Sequence, residues 1–363
     1  MTGIRSTAAA LVVAAASTAL VASAAAQAPM QLAPPVAQPA SKPAVKPPAR
    51  RLPPKAVPDQ PAQKDPTPAA SRTATAPPAS SREPDLAFGA YQRGYYLSAF
   101  SIAARRAEEG DVKAMTLLGE LYANGFGVAR DDTKAAEWYR LAADRGDREA
   151  MFALAMFHFG GRAGPADREA AAKLLAAAAK LGHVAASYDL GLLYLEGQLF
   201  PQDFARAAEL FRAGAQGGSP EAQYALATLY KEGRGVAKDL REATRLLAAS
   251  ALADYTDAQV EYAIALFNGI GVAKDEAGAA ALLTKAARKG SPIAQNRLAN
   301  ILAVGRGLPA DPVEAIKWHL VSKAAGATDL GLDSFMQRQK PDIRAAGEKA
   351  AQPWIDAIKQ PRS

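Results

Sequence analysis

His158, His183 and His319 are the three histidines of this 363-residue chain, and they are the first candidates for acid–base or metal chemistry. None has a Ser, Asp or Glu partner at the spacing of a hydrolytic or metal motif, and no Ser-x-x-Lys occurs. His158 reads as a packed imidazole, His183 falls in a turn and His319 on a helix. With no cysteine in the chain, disulfides, thiolate zinc sites, a cysteine nucleophile and a lipoprotein anchor are excluded. Gly125/Gly127, Gly233/Gly235, Gly269/Gly271 and Gly305/Gly307 have the look of phosphate-cradling loops. No strand pattern precedes them and no Lys-Ser pair follows, so they read as turns. No cofactor, metal or enzymatic activity is expected.

The elements that hold these residues are repeats. Blocks of 36 residues begin at 112, 148, 184, 220, 256 and 292 without a slip in register. Alanine fills the third column (Ala114, Ala150, Ala186, Ala222, Ala258, Ala294) and returns at the twenty-fourth. Glycine fills the fourteenth (Gly125, Gly161, Gly197, Gly233, Gly269, Gly305), and aspartate the twentieth (Asp131, Asp167, Asp203, Asp239, Asp275, Asp311). Apolar columns 3, 7, 10 and 11 have helical spacing. The column-14 glycine ends that first helix in a left-handed residue, and the aspartate caps a second. Asp311-Pro312-Val313-Glu314 reads as an N-cap, a first-turn proline and a capping-box glutamate, and Asp239 with Glu242 repeats the box. Asp147, Ser219 and Ser291 are placed to cap the next block's first helix. Ala163 and Leu199 replace the second loop glycine in blocks 2 and 3, so those loops are expected to differ in shape. Asp254 replaces the terminal glycine of block 4, whose second helix is expected to run long.

The phrases LLGELYANGFGVARDDTKAAEWYRLAADRGD from Leu117 and YALATLYKEGRGVAKDLREATRLL from Tyr224 resemble the Sel1-like repeat family, a relative of the tetratricopeptide repeat. The resemblance covers residues 112–327. It implies an all-α, right-handed α-solenoid of six helix pairs. Residues 85–111, with Ala99 in phase with the later alanines, read as an N-terminal capping pair. Residues 328–363, with a helix from Pro341 to Ile358 bearing Trp354, read as a C-terminal cap and tail.

The N-terminus reads as an address. Arg5 precedes an uncharged, alanine-rich run that closes on Ala24-Ala25-Ala26, the pattern of a signal peptide cleaved after Ala26. A mature chain would then start at Gln27 in the periplasm or outside the cell. A retained anchor helix is the alternative. Residues 27–84 hold 16 of the 25 prolines and almost no large apolar residue, the composition of a disordered linker.

Charge follows the same division. Residues 27–84 carry a net +5, from eight bases and three acids, while residues 85–363 carry 34 bases and 33 acids. A folded part this close to neutral is not a nucleic-acid-binding domain. The linker reads as a solvated spacer, with a weak contact to an anionic envelope surface as its further partner.

In tetratricopeptide-type stacks the first helices line a concave groove, and the resemblance puts columns 2, 5, 9, 12 and 13 there. In blocks 2 to 5 these columns supply Phe152, Met156, Phe159, Tyr188, Leu192, Leu195, Tyr224, Val260, Ile264 and Phe267. The end blocks supply Thr116, Glu120, Asn124, Asn296 and Asn300. An apolar groove with polar ends is expected to bind a protein or peptide partner. The competing expectation is that columns 5 and 9 pack in the core.

The family resemblance implies an extracytoplasmic interaction scaffold or adaptor, of the kind that regulates envelope or exopolysaccharide signalling. A cell-envelope tether using the basic arm is the alternative. A penicillin-binding or β-lactamase-like enzyme is weaker still, because the cysteines of such relatives are absent.

Overall fold

The computed structural model describes residues 85–359; the expected signal peptide and the basic linker lie outside them. Sixteen helices and no strand make up the described residues. A short pair, α1 (Leu86–Gln92) and α2 (Tyr96–Glu108), precedes six pairs, each an A helix followed by a B helix. These are α3 (Val112–Asn124) with α4 (Asp132–Ala143), α5 (Arg148–Gly160) with α6 (Arg168–Lys180), and α7 (Val184–Glu196) with α8 (Phe204–Gln216). They continue as α9 (Pro220–Glu232) with α10 (Leu240–Leu252), α11 (Thr256–Asn268) with α12 (Glu276–Arg288), and α13 (Pro292–Val304) with α14 (Pro312–Ala324). The last pair is α15 (Leu330–Arg338) and α16 (Pro341–Lys359). Through α14 each helix packs on its neighbours in chain order, as in an α-solenoid, and α16 packs back on α14.

Local chemistry sets the boundaries. All six column-20 aspartates cap a B helix through a side-chain oxygen, for example Asp239 accepting from the amides of Arg241 at 2.9 Å and Glu242 at 3.0 Å. All six column-14 glycines close an A helix at positive φ. Asp239→Ala should therefore cost about 1 kcal/mol. Gly233→Val forces a β-branched residue to φ +76°, with its Cβ 3.2 Å from that of Lys238, and should cost about 2 kcal/mol. Thermal melts of the two variants check both the order and the boundaries.

The reciprocal half of the expected capping box is not made. The amide of each column-20 aspartate already donates to a column-11 carbonyl, as Asp239 does to Tyr230 and Asp311 to Leu302 at 3.0 Å. Glu314 is left to accept from the Trp318 indole at 3.0 Å and to pair with Lys317, and Glu242 takes Arg245. Two other expectations are corrected. Ala163 keeps the positive φ of the glycine it replaces, at 64°, so its substitution is absorbed as local strain, whereas Leu199 does not take a positive φ and its loop departs from the glycine pattern as expected. The B helix of repeat 4 does not run long: α10 has 13 residues, and Asp254 takes the left-handed turn itself at φ 70°. Its carboxylate is held there by Lys285, Lys289 and Gln259.

Small residues set the spacing within each pair. The column-24 alanines are 0–2% exposed, because A and B helices meet across them. Where the B helix presents a large ring, the facing A helix thins to glycine. A Cβ at Gly119 or Gly191 would lie 2.6 Å from the rings of Tyr139 and Phe211. Between repeats, a column-15 arginine reaches back to the start of the preceding B helix. Arg162 pairs with Asp132, Arg306 with Glu276, and the Arg234 guanidinium sits 3.9 Å from the Phe204 ring centre. The hydrogen bond from Arg162 holds the Asp132 carboxyl down at about 2.

Candidate functional site

Two of the histidines serve the scaffold. His183 caps α7: Nδ1 accepts from the Ala186 amide at 3.0 Å, so Nε2 carries the proton it donates to Glu149 at 3.0 Å. Its ring stacks on Phe152 at 4.4 Å. His319 fills the buried column that holds Tyr139 and Phe211 in other repeats, and it pairs with Asp333 of α15 at 2.9 Å. His158 is half-buried on α5. No group of metal-ligating side chains is assembled among the described residues.

The groove residues divide into two sets. Leu192, Leu195, Val260, Ile264 and Phe267 are all below 9% exposed and belong to the core, so the expectation that they line an open surface is corrected. Phe267 is 1% exposed, and the Arg306 guanidinium sits 4.4 Å from its ring centre. Phe152, Met156, Phe159, Tyr188 and Tyr224 are half-buried. Each leans on the core with one edge and shows the other to solvent.

The polar ends of the expected groove are consumed by structure. The Thr116 hydroxyl donates to the α5 cap Asp147 at 3.1 Å. Glu120 accepts from the hydroxyls of Tyr139 at 3.0 Å and Tyr91 at 3.4 Å, tying the N-terminal pair to repeat 1. Burial and this carboxylate push the Tyr91 hydroxyl up to about 12. At the other end, Asn296 and Asn300 donate to the α15 cap Asp329 at 3.0 Å and 2.9 Å. These side chains clamp the terminal helix pairs onto the stack.

The sequence reading passed over the acids on the same helix stripe. Columns 2, 5, 6 and 9 follow one another along one side of a helix. In repeats 3 to 5 they place Asp189, Glu221, Asp257 and Glu261 among Tyr188 and Tyr224, with Tyr255 beside Tyr224 at 5.3 Å between ring centres. Glu261 is countered by Lys231 at 3.0 Å and by the field of Arg297, whose own affinity for its proton is lowered by burial. Asp257 is pushed up, first by burial and then by Glu261. The Tyr224 hydroxyl is pushed far up by burial, then by Glu261 and Asp257. Asp189 stands apart. It has no hydrogen bond or ion pair among the described residues, and desolvation, with Glu221 adding, pushes its carboxyl up to about 7. An i, i+4 acid pair such as Asp257/Glu261 on an apolar-rich helix was the available signal for this stripe.

A recess of about 250 Å³ between α8, α9 and α10 is lined by Arg212, Gln223, Glu242 and Arg245. Its charges are used internally, Arg245 by Glu242 at 2.7 Å and Arg212 by the Tyr230 hydroxyl at 3.3 Å. No described helix is long and apolar enough to cross a membrane.

Comparison with known proteins agrees with the repeat geometry. The Sel1 repeat family model matches 112–147, 148–183, 184–219, 220–255, 256–291 and 292–326. Among solved structures, the chain is similar to a Sel1 repeat protein from Oxalobacter formigenes, with 27% identity and a TM-score of 0.58 over 66% of this chain and 98% of that one. It is also similar to c5321, a protective antigen of uropathogenic Escherichia coli with an SLR fold, with 26% identity and a TM-score of 0.52 over 74% of this chain and 68% of that one. No curated protein sequence matches.

Proposed function

Because this chain belongs to the Sel1 repeat family, whose members are generally non-catalytic protein–protein interaction scaffolds, we propose that it is an extracytoplasmic scaffold that docks a partner on the A-helix face of repeats 2 to 4. One observation carries the reading. Phe152, Met156, Phe159, Tyr188 and Tyr224 occupy equivalent stripe positions of α5, α7 and α9, and each keeps an exposed edge. Large side chains half-sunk in a rigid wall bury much area on docking at small entropic cost, the behaviour of interface anchors. The alanine-rich run ending at Ala26 supports export, and the basic arm would then space the scaffold within the envelope.

A photo-crosslinking residue in place of Tyr224, in exported protein, is the test. It should join the chain to one partner, whereas the same residue in place of Leu252, 87% exposed on α10, should not. Phe152→Ser should weaken that capture about thirtyfold, the equivalent of about 2 kcal/mol. Equal crosslinking from both positions would refute the docking face. N-terminal sequencing of the same material should begin at Gln27, and an intact Met1 would refute export by cleavage.

A further inference from the structure

We propose that His183 is a proton-sensitive helix cap: in mild acid its ring takes a second proton, releases the start of α7 and withdraws its support from Phe152 on the docking face. This rests on the docking face proposed above and adds a means of regulating it.

The hydrogen bonds of the ring are the first support. Nδ1 accepts from the Ala186 amide at 3.0 Å while Nε2–H donates to Glu149 at 3.0 Å, so the imidazole is neutral and fixed at both nitrogens. A second proton can go only on Nδ1, where it would point at the Ala186 N–H. Two donors cannot share that contact, so the ring must turn about its Glu149 bond and the amide loses its acceptor.

The other caps at the same place in the repeat do not respond in this way. Asp111, Asp147, Ser219 and Ser291 stand before α3, α5, α9 and α13, and each accepts through a side-chain oxygen. A hydroxyl keeps its lone pairs at any ordinary pH, and a carboxylate keeps them well below the range in which imidazoles titrate. Among these five caps His183 is the one whose acceptor is removed within that range.

The link to the docking face is independent of the cap. The Phe152 and His183 rings stack at 4.4 Å between centres, with 20° between their planes. A ring pinned at both ends gives the half-buried Phe152 a fixed backing, and a ring that has turned does not. Column 5 leans on the following cap in repeat 1 as well, where the Thr116 hydroxyl donates to Asp147 at 3.1 Å.

Charges of both signs surround the imidazole. Glu149 of α5 favours the imidazolium, and the hydrogen bond from His183 holds its carboxyl below the ordinary carboxylate range. Arg148, which pairs with Glu149 at 3.3 Å and donates to the carbonyls of Leu181 and Gly182, opposes the added charge. The exposed Lys180 at the end of α6 and the positive end of α7 oppose it too. The contact with Glu149 survives protonation, because Nε2–H donates in both states, so the cap is what changes.

Fluorine NMR of the full chain carrying 4-fluorophenylalanine at position 152 tests the proposal between about pH 7.5 and about pH 5. The resonance should move over that range, and in His183→Ser, which keeps an oxygen cap as Ser219 does, it should stay in place. Amide hydrogen exchange, corrected for the intrinsic effect of pH, should show the start of α7 losing about fivefold in protection relative to the start of α9, and only where His183 is present. His158 and His319 remain in the variant, so their titration is common to both proteins. The proposal is overturned if the resonance does not move, if it moves equally in His183→Ser, or if the start of α7 stays as protected as that of α9. Crosslinking from position 224 at about pH 7.5, with the cap in place, reports on the docking face alone. Its failure refutes that face and leaves the fluorine and exchange results as they stand.

Discussion

Phe267→Ser is expected to lower the melting temperature by roughly 10 °C, while Phe152→Ser, at column 5 of repeat 2, lowers it far less. Phe267 closes the A-helix column of repeat 5 at 1% exposure, within the cluster shared by α11 to α14. Its ring lies under Arg306, which in turn pairs with Glu276 of the preceding B helix. Serine leaves a cavity of nearly a whole ring, removes the surface on which the arginine rests and buries a hydroxyl, at a cost of about 4 kcal/mol. Phe152 packs one edge on the core and stacks on His183, so serine there costs about 1–2 kcal/mol. Melts followed by circular dichroism separate the two. Equal losses would put Phe152 in the core as well and remove it from the docking face.

Asp189→Asn is expected to stabilise the chain at pH 8 and to leave it unchanged near pH 4. The folded protein holds the Asp189 proton up to about 7, whereas the unfolded chain gives it up near 4. Between those values the unfolded state has fewer protons bound, so this group subtracts stability as pH rises through the window and no more above it. The span corresponds to roughly 4 kcal/mol if nothing around the carboxylate relaxes, and a gain of about 2 kcal/mol or more is the expected result for the amide. Thermal melts of both proteins at pH 4 and pH 8 measure it, and a gain of the same size at both would show that charge is not its source. A position where removing charge strengthens the fold is one where the fold alone gives no reason for the charge.

The division of the ten groove positions shows where periodicity stops. Columns 5, 9 and 12 have the same helical phase in every repeat, yet Tyr224 keeps an exposed edge and Val260 does not. The A helix packs one side on its own B helix and another on the next repeat, so burial depends on how deeply the neighbour covers it. The neighbour's side chains set that depth, and they differ from repeat to repeat. The match of Gly119 to Tyr139 and of Gly191 to Phe211 was present in the string, but its meaning depends on columns 8 and 28 touching. His183 as a helix cap was likewise hidden, because imidazole is an uncommon capping acceptor.

What the residues alone determined were the features that act over a turn or less of chain. Column-20 aspartates start helices, column-14 glycines end them, and a constant 36-residue period obliges the pairs to stack. Those are backbone requirements, met or missed within a few residues of the group that imposes them. Only the tertiary structure decided that Asn296 and Asn300 clamp a terminal helix, that Leu192 and Phe267 are core, and that Asp189 has no hydrogen-bond or ion-pair partner among the described residues. Each of these depends on which side chain arrives from 20 or more residues away. Burial and pairing are properties of both neighbours, and a one-dimensional pattern specifies only one of them at a time.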